Sequence, residues 1–209
     1  MKTRYVLHVA ALFGLITMPA AAASITTTFG QNDGGSGAMF DVSTNGSAIT
    51  LTGLSLLDNS TSALTLQVYI KSGTYVGFGT TPAAWTLVST TAIATGNGNS
   101  TPTPVSLTPF TLAANSTYGV YVTFTTTSTP PNMLYTRGSN TYSNSNLTLS
   151  AGEGLNGLFG ATSVFPGRTW DGTLNYTLAS AAPEPSSMVL FTMAAPCLLF
   201  LRRRYLRKY

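Results

Sequence analysis

Asp33, Asp41, Asp58, Glu153, Asp171 and Glu184 are the six acidic residues of this 209-residue chain. Two carboxylates facing each other across a cleft are the usual minimum for glycoside hydrolysis. Three of these positions carry a simpler explanation. Asp33 precedes a glycine pair, Asp58 precedes Asn59, and Asp171 precedes Gly172. Aspartate is common at such places because its side chain closes turns. Calcium binding is a second chemistry open to them. Asp33 and Asp41 flank a glycine-rich segment whose carbonyls could complete an oxygen shell, although the spacing is not that of an EF-hand. Histidine and cysteine offer little. His8 lies in an apolar run near the start and Cys197 in one near the end. A domain between the two would hold neither imidazole nor thiolate for metal binding or nucleophilic catalysis, and no disulfide. No G-x-S-x-G elbow is present, and the glycine-rich segment 30–37 precedes no helix, which excludes a P-loop. No catalytic residue and no cofactor is therefore expected, a structural calcium at Asp33 and Asp41 excepted.

Aromatic side chains offer binding rather than reaction. Tyr75, Phe78, Trp85, Tyr135, Tyr142 and Trp170 lie largely among Gly, Thr, Ser and Asn. An exposed ring can pack on the apolar face of a sugar while neighbouring amides and hydroxyls hydrogen-bond to it. Tyr75, Phe78 and Trp170 are the expected glycan contacts, against the general tendency of Trp to be well buried. Nucleic acid is excluded as a partner. The formal charge of +4 comes from the chain ends, and only Lys71, Arg137 and Arg168 are basic between them. That is too few to neutralise a run of phosphates.

The elements that must position these residues read as strands. From 24 to 180 the chain is rich in Thr, Ser, Gly and Asn, poor in charge, and without a long 3.6-residue period. Short alternating runs recur between turn residues about every ten positions, the pattern of a β-sandwich or barrel. Segments 49–57, 63–70, 85–95, 105–112, 118–124, 147–149 and 173–178 are the expected strands, with shorter ones at 25–29 and 39–42. The apolar face switches at Gly53, which predicts a bulge. Pro109 predicts an edge strand or bulge. Segment 58–62 reads as a turn joining 49–57 and 63–70 into a hairpin. About 155 residues suffice to bury roughly two-thirds of the unfolded surface.

The ends read as addresses. Lys2 and Arg4 precede an apolar run over 6–18; Pro19 ends it, and Ala21 and Ala23 supply the small residues a signal peptidase requires. Residues 1–23 are expected to be a cleaved signal peptide. At the other end, Pro183, Glu184 and Pro185 precede an apolar run over 188–201, then Arg202, Arg203 and Arg204. The run is short for a bilayer crossing, and the arginines hold the tail cytoplasmic. This order of parts resembles the PEP-CTERM sorting signal. The resemblance implies a Gram-negative, exopolysaccharide-producing bacterium and recognition of Pro183-Glu184-Pro185 by an exosortase. It also implies an inner-membrane precursor and release to the cell surface. The stretches 71–79, 84–88, 115–119 and 165–174 resemble an exported domain found with interchangeable surface anchors, which implies a jelly-roll-like sandwich.

The reading is thus an all-β, jelly-roll-like antiparallel sandwich over 24–180, a stalk at 181–187, a transmembrane segment at 188–201 and a basic tail at 202–209. The expected function is that of a non-enzymatic matrix protein associated with extracellular polysaccharide. A carbohydrate-binding module with an aromatic site and a glycan-active enzyme are the alternatives.

Overall fold

A computed structural model describes residues 21–125 and 133–179. The expected signal helix, nearly all of it before residue 21, and the stalk, transmembrane and basic segments after 180 lie outside the described residues. No helix among the described residues is long and apolar enough to cross a membrane.

The domain is an all-β sandwich of two antiparallel sheets. The smaller sheet holds β1 (Ala22–Thr26), β4 (Ile49–Leu56), β7 (Thr103–Leu112) and β13 (Gly172–Leu178), in the order β1-β13-β4-β7. The larger sheet begins with β2 (Asp33–Gly35), β3 (Gly37–Thr44), β5 (Leu64–Ser72), β6 (Thr86–Ile93) and β8 (Thr117–Phe124). It continues with β9 (Met133–Arg137), β10 (Thr141–Ser143), β11 (Leu147–Asn156) and β12 (Ser163–Trp170). Its order is β2-β9-β12-β11-β3-β8-β5-β6, with β10 on β11.

Alternation sets the inner faces. In β4, Ile49, Leu51, Leu54 and Leu56 point inward; in β8, Val120, Val122 and Phe124 do, and in β5, Leu64, Leu66 and Val68. The face switch in β4 is the expected bulge: against β13 the pairing skips from Leu51 to Gly53, leaving Thr52 as the extra residue, and against β7 the same step spans residues 107–109 of that strand. β7 is an edge strand, and its register breaks at the Pro109 region, as that proline required. The two sheets are also closed along their sides by polar side chains. Ser89 Oγ accepts from Thr108 N at 3.0 Å and Thr91 Oγ1 donates to Ser106 O at 2.9 Å, tying β6 to β7. Opposite, the Asn144 amide donates to Ser24 O and to the Tyr176 hydroxyl at 3.2 and 2.9 Å.

Two expectations need correction. The strands β4 and β5 do not form a hairpin; they belong to different sheets. The segment between them crosses the edge of the sandwich around Asp58, which is fully buried. Asp58 accepts from Ser60 N at 2.8 Å and from Thr103 Oγ1 at 2.7 Å, so its carboxylate ties the crossing to β7. Trp170 is not an exposed glycan contact. Its ring is 1% exposed and stacks on Phe40 at 5.1 Å and 9°. The slot exists because the neighbouring positions carry no side chain: a Cβ at Gly172 would sit 2.1 Å from the Trp170 ring. Among the described residues the Trp170 indole nitrogen has no hydrogen-bond partner, so apolar packing holds the side chain.

Trp170→Ala is therefore expected to destabilise the domain by about 3–5 kcal/mol, the usual cost of emptying a large aromatic site. Urea unfolding followed by circular dichroism measures it, and a change under about 1 kcal/mol would exclude the buried placement.

Candidate functional site

The outer face of the larger sheet carries what the smaller sheet lacks: a second aromatic core and a covering loop. Tyr69 of β5, Tyr121 of β8 and Met39 of β3 alternate with core residues and so point away from the sandwich interior. Left open, they would expose a broad apolar surface. Segment 73–85, between β5 and β6, folds over them. Gly73 and Gly77, with φ of +78° and +82°, turn the chain back across the sheet. A 3-10 turn at Pro82–Ala84 then delivers Trp85 onto the cluster. The 3-10 turn Leu158–Gly160 closes the other side with Phe159. Tyr121 and Phe159 lie 5.1 Å apart, Tyr69 and Phe159 5.0 Å, and Trp85 and Tyr121 6.1 Å.

Polar contacts fix the covering loop. Asp41 of β3 accepts from Thr74 Oγ1 at 2.6 Å and from Tyr75 N at 2.9 Å. The Trp85 indole donates to Phe78 O at 3.0 Å. Gly119 must lack a side chain, since a Cβ there would meet Tyr75 N at 3.0 Å and the Trp85 ring at 3.2 Å. Lys71 Nζ sits 3.8 Å above the Phe78 ring, capping one face of it. Such a contact is worth about 0.5–1 kcal/mol at an exposed site. The large hydrophobic side chains that remain exposed among the described residues all border this cluster: Val76 (60%) and Phe78 (37%) in the loop, Leu158 beside Phe159, and Leu87 directly opposite Tyr69.

Glu153 lies beneath the same loop. It pairs across with Met39, and a Cβ at Gly79 would come within 2.7 Å of its Oε1. Its carboxylate is half-buried and has no hydrogen bond or ion pair among the described residues, and burial raises its pKa above the ordinary value. Tyr75 is raised first by burial and then by the charges of Glu153 and Asp41.

The expected site residues therefore separate. Tyr75 and Phe78 fall together in the covering loop, Tyr75 half-buried and Phe78 partly exposed. Trp170, Trp85 and Tyr135 are buried. Burial, and next the charge of Asp33, push the Tyr135 hydroxyl up to about 12. Asp33 and Asp41 do not combine into a calcium site. Asp33 is held by Arg137 Nε at 2.9 Å and by an Arg168 guanidinium nitrogen at 3.0 Å, whereas Asp41 anchors the loop on another strand. Burial raises the Asp33 carboxyl, but the hydrogen bond from Arg137 and the nearby charges of Arg137 and Arg168 hold it below its ordinary value. Among the described residues no group of three acidic, histidine or cysteine side chains could hold a metal. Asp171 is buried, accepts from Gln31 N and Thr136 Oγ1, and is raised mainly by that burial. Ala21 precedes β1, and Ala23 lies within it, opposite Tyr176. Pro183, Glu184, Pro185, Arg202, Arg203 and Arg204 lie outside the described residues. Sequence reasoning missed the placement of Glu153 and the role of the Phe159 turn.

A carboxyl whose pKa is raised by folding stabilises the fold most below its unfolded value, 4.5 for Glu153, and the contribution is lost as pH rises through the folded value. Glu153→Gln is expected to raise the thermal midpoint near pH 7 and to remove the Glu153 contribution to the pH dependence, which adds stability as pH falls. Melting curves of both proteins from pH 4 to 8 check this; parallel curves would contradict a desolvated Glu153.

No family model matches this chain, and no curated protein matches it. Among solved structures it is similar to a structure of infectious bursal disease virus, Gt strain, at 13% identity and a TM-score of 0.23. The match covers 94% of this chain and 55% of that one, so the chain spans about half of that structure's length. A likeness at this level carries no argument about fold or function.

Proposed function

We propose that this is an exported, surface-sorted, non-enzymatic structural protein of an extracellular polysaccharide matrix, built on a jelly roll. The observation that carries the reading is the use made of the carboxylates. Asp33, Asp41, Asp58 and Asp171 each accept hydrogen bonds from backbone, hydroxyl or guanidinium groups that hold one element to another. Glu153 alone is left without such a partner among the described acidic residues, and a glycosidase needs two working carboxylates. The strand order supports the jelly roll: β1-β13-β4-β7 faces β3-β8-β5-β6, the eight-stranded arrangement of two Greek keys, with β2 and β9 to β12 extending one sheet.

Delivery rests on the two ends. Signal peptidase removes residues 1–23, the segment 188–201 halts in the inner membrane, and an exosortase acts at Pro183-Glu184-Pro185. A carbohydrate-binding module is the second reading. It is favoured by Tyr75 and Phe78 sharing one loop, with Phe78 37% exposed and Lys71 over its ring.

Intact mass and location in the native host test the sorting. The native chain is expected at the surface or in the matrix, shortened at both ends. The variant with Pro183, Glu184 and Pro185 changed to Ala is expected in the inner membrane at higher mass. Identical location, with masses differing only by the substitutions, would overturn the sorting reading.

A further inference from the structure

The smaller sheet differs from the larger one in a way that points to a ligand. Every Asp, Glu, Lys and Arg carried by a strand among the described residues lies in the larger sheet: Asp33, Asp41, Lys71, Arg137, Glu153 and Arg168. Strands β1, β4, β7 and β13 contain no charged residue. Solvated sheet faces ordinarily carry charged residues, which keep a protein soluble and discourage association. Here the outer face is built of hydroxyls and amides.

Register puts them in rows. Thr177, Thr50 and Thr111 are successive partners across β13, β4 and β7. Thr26, Thr173 and Ser55 form a second row across β1, β13 and β4. Rows of this kind repeat about 4.8 Å apart from strand to strand and about 6.8 Å apart for every second residue along a strand. The hydroxyls are also fixed in direction. Thr50 and Thr111 hydrogen-bond to each other at 3.0 Å, and Thr26 and Thr173 at 2.9 Å. A hydroxyl that donates sideways keeps an acceptor lone pair for a ligand. Less rotamer entropy is then lost when one binds.

The chemistry of the face selects its partner. An anionic polymer finds no cation there. An apolar protein surface finds none of the exposed hydrophobic side chains, which all border the larger sheet's aromatic cluster. A second copy adding a strand is opposed at both edges. β7 carries Pro104 and Pro109, which lack an N–H, and Asn144 already occupies Ser24 O on β1. What complements an uncharged lattice of hydroxyls is an uncharged chain of hydroxyls.

We propose that the outer face of β1-β13-β4-β7 binds an extended, neutral polysaccharide across its threonine rows. The proposal rests on the matrix reading above and names the surface and ligand class for it.

Co-sedimentation of the full chain in detergent with suspended cellulose, an insoluble uncharged glucan, tests it, with soluble alginate as the anionic competitor. Thr50→Val, Thr111→Val and Thr173→Val combined remove three hydroxyls and keep the β-branched shape. This variant, with its melting temperature and sedimentation coefficient matched to the native protein, is expected to lose about ten-fold or more in apparent affinity. Tyr75→Ala with Phe78→Ala is expected to bind as the native protein does, and alginate is expected not to compete. Undiminished binding by the threonine variant overturns the proposal. If only the aromatic variant loses binding, the matrix reading stands and the site is the covering loop. If the native chain does not sediment with cellulose, the proposal falls and the sorting experiment still decides the matrix reading. A native dimer that the threonine substitutions dissociate would make the face a self-association surface and would likewise overturn it.

Discussion

Trp170 lies flat on Phe40 within the sandwich, and the room for it is made by residues with no side chain. The two rings sit on strands separated by β11, where a side chain at Gly152 would collide with the backbone of Met39 and Phe40. Close packing of this kind cannot tolerate an added methyl without strain. Dispersion between the rings and burial of a large apolar area do here what disulfides do in many other domains. Much of the larger sheet depends on this arrangement. β12 holds Trp170 at one end and Arg168 near it, and Arg168 reaches Asp33 on β2. The indole and the guanidinium thus secure two successive same-side positions of one strand.

Charge scarcity shapes the rest. With few ionisable groups, the domain uses carboxylates where one group must satisfy several donors in a confined place. Asp58 closes the crossing between the sheets, Asp171 receives the segment after β1, and Asp41 holds the covering loop. Elsewhere hydroxyls suffice. Directly opposed pairs such as Ser43 with Thr117 and Ser143 with Thr148 hydrogen-bond across strands, each adding a few tenths of a kcal/mol to about 1 kcal/mol. Concentrating the charge on one sheet leaves the other free of it, so the two outer faces have different chemistry.

Strands with one buried face were legible because their period of two is local. β4, β5, β8 and β13 follow from Leu, Val and Ile at alternate positions. The bulge in β4 was legible as well, because a face switch at glycine has few other causes. β9 and β12 were not legible: Gly138, Pro166 and Gly167 interrupt their neighbourhood, and Trp170 reads equally as core or as surface. The hairpin expected at 58–62 failed because nothing in those five residues states which sheet the next strand joins; the buried contact from Asp58 to Thr103 does, at a separation of 45 residues. At the site, Tyr75 and Phe78 were legible as rings in a glycine-rich loop. Glu153 was not, because its position opposite Met39 depends on a register shift after Ser150.

The pairing of β1 with β13 has a consequence in time. Thr26 and Thr173 are partners 147 residues apart in sequence. In chain order β1 comes first and the strand that covers it last. Until β13 is formed, Ala23 and Ser24 have no partner strand. Once β13 arrives, the bond between Ala23 and Ser24 lies inside a sheet. Pairing between segments this distant is slow, so β1 joins its sheet only when the last strand of the domain is available.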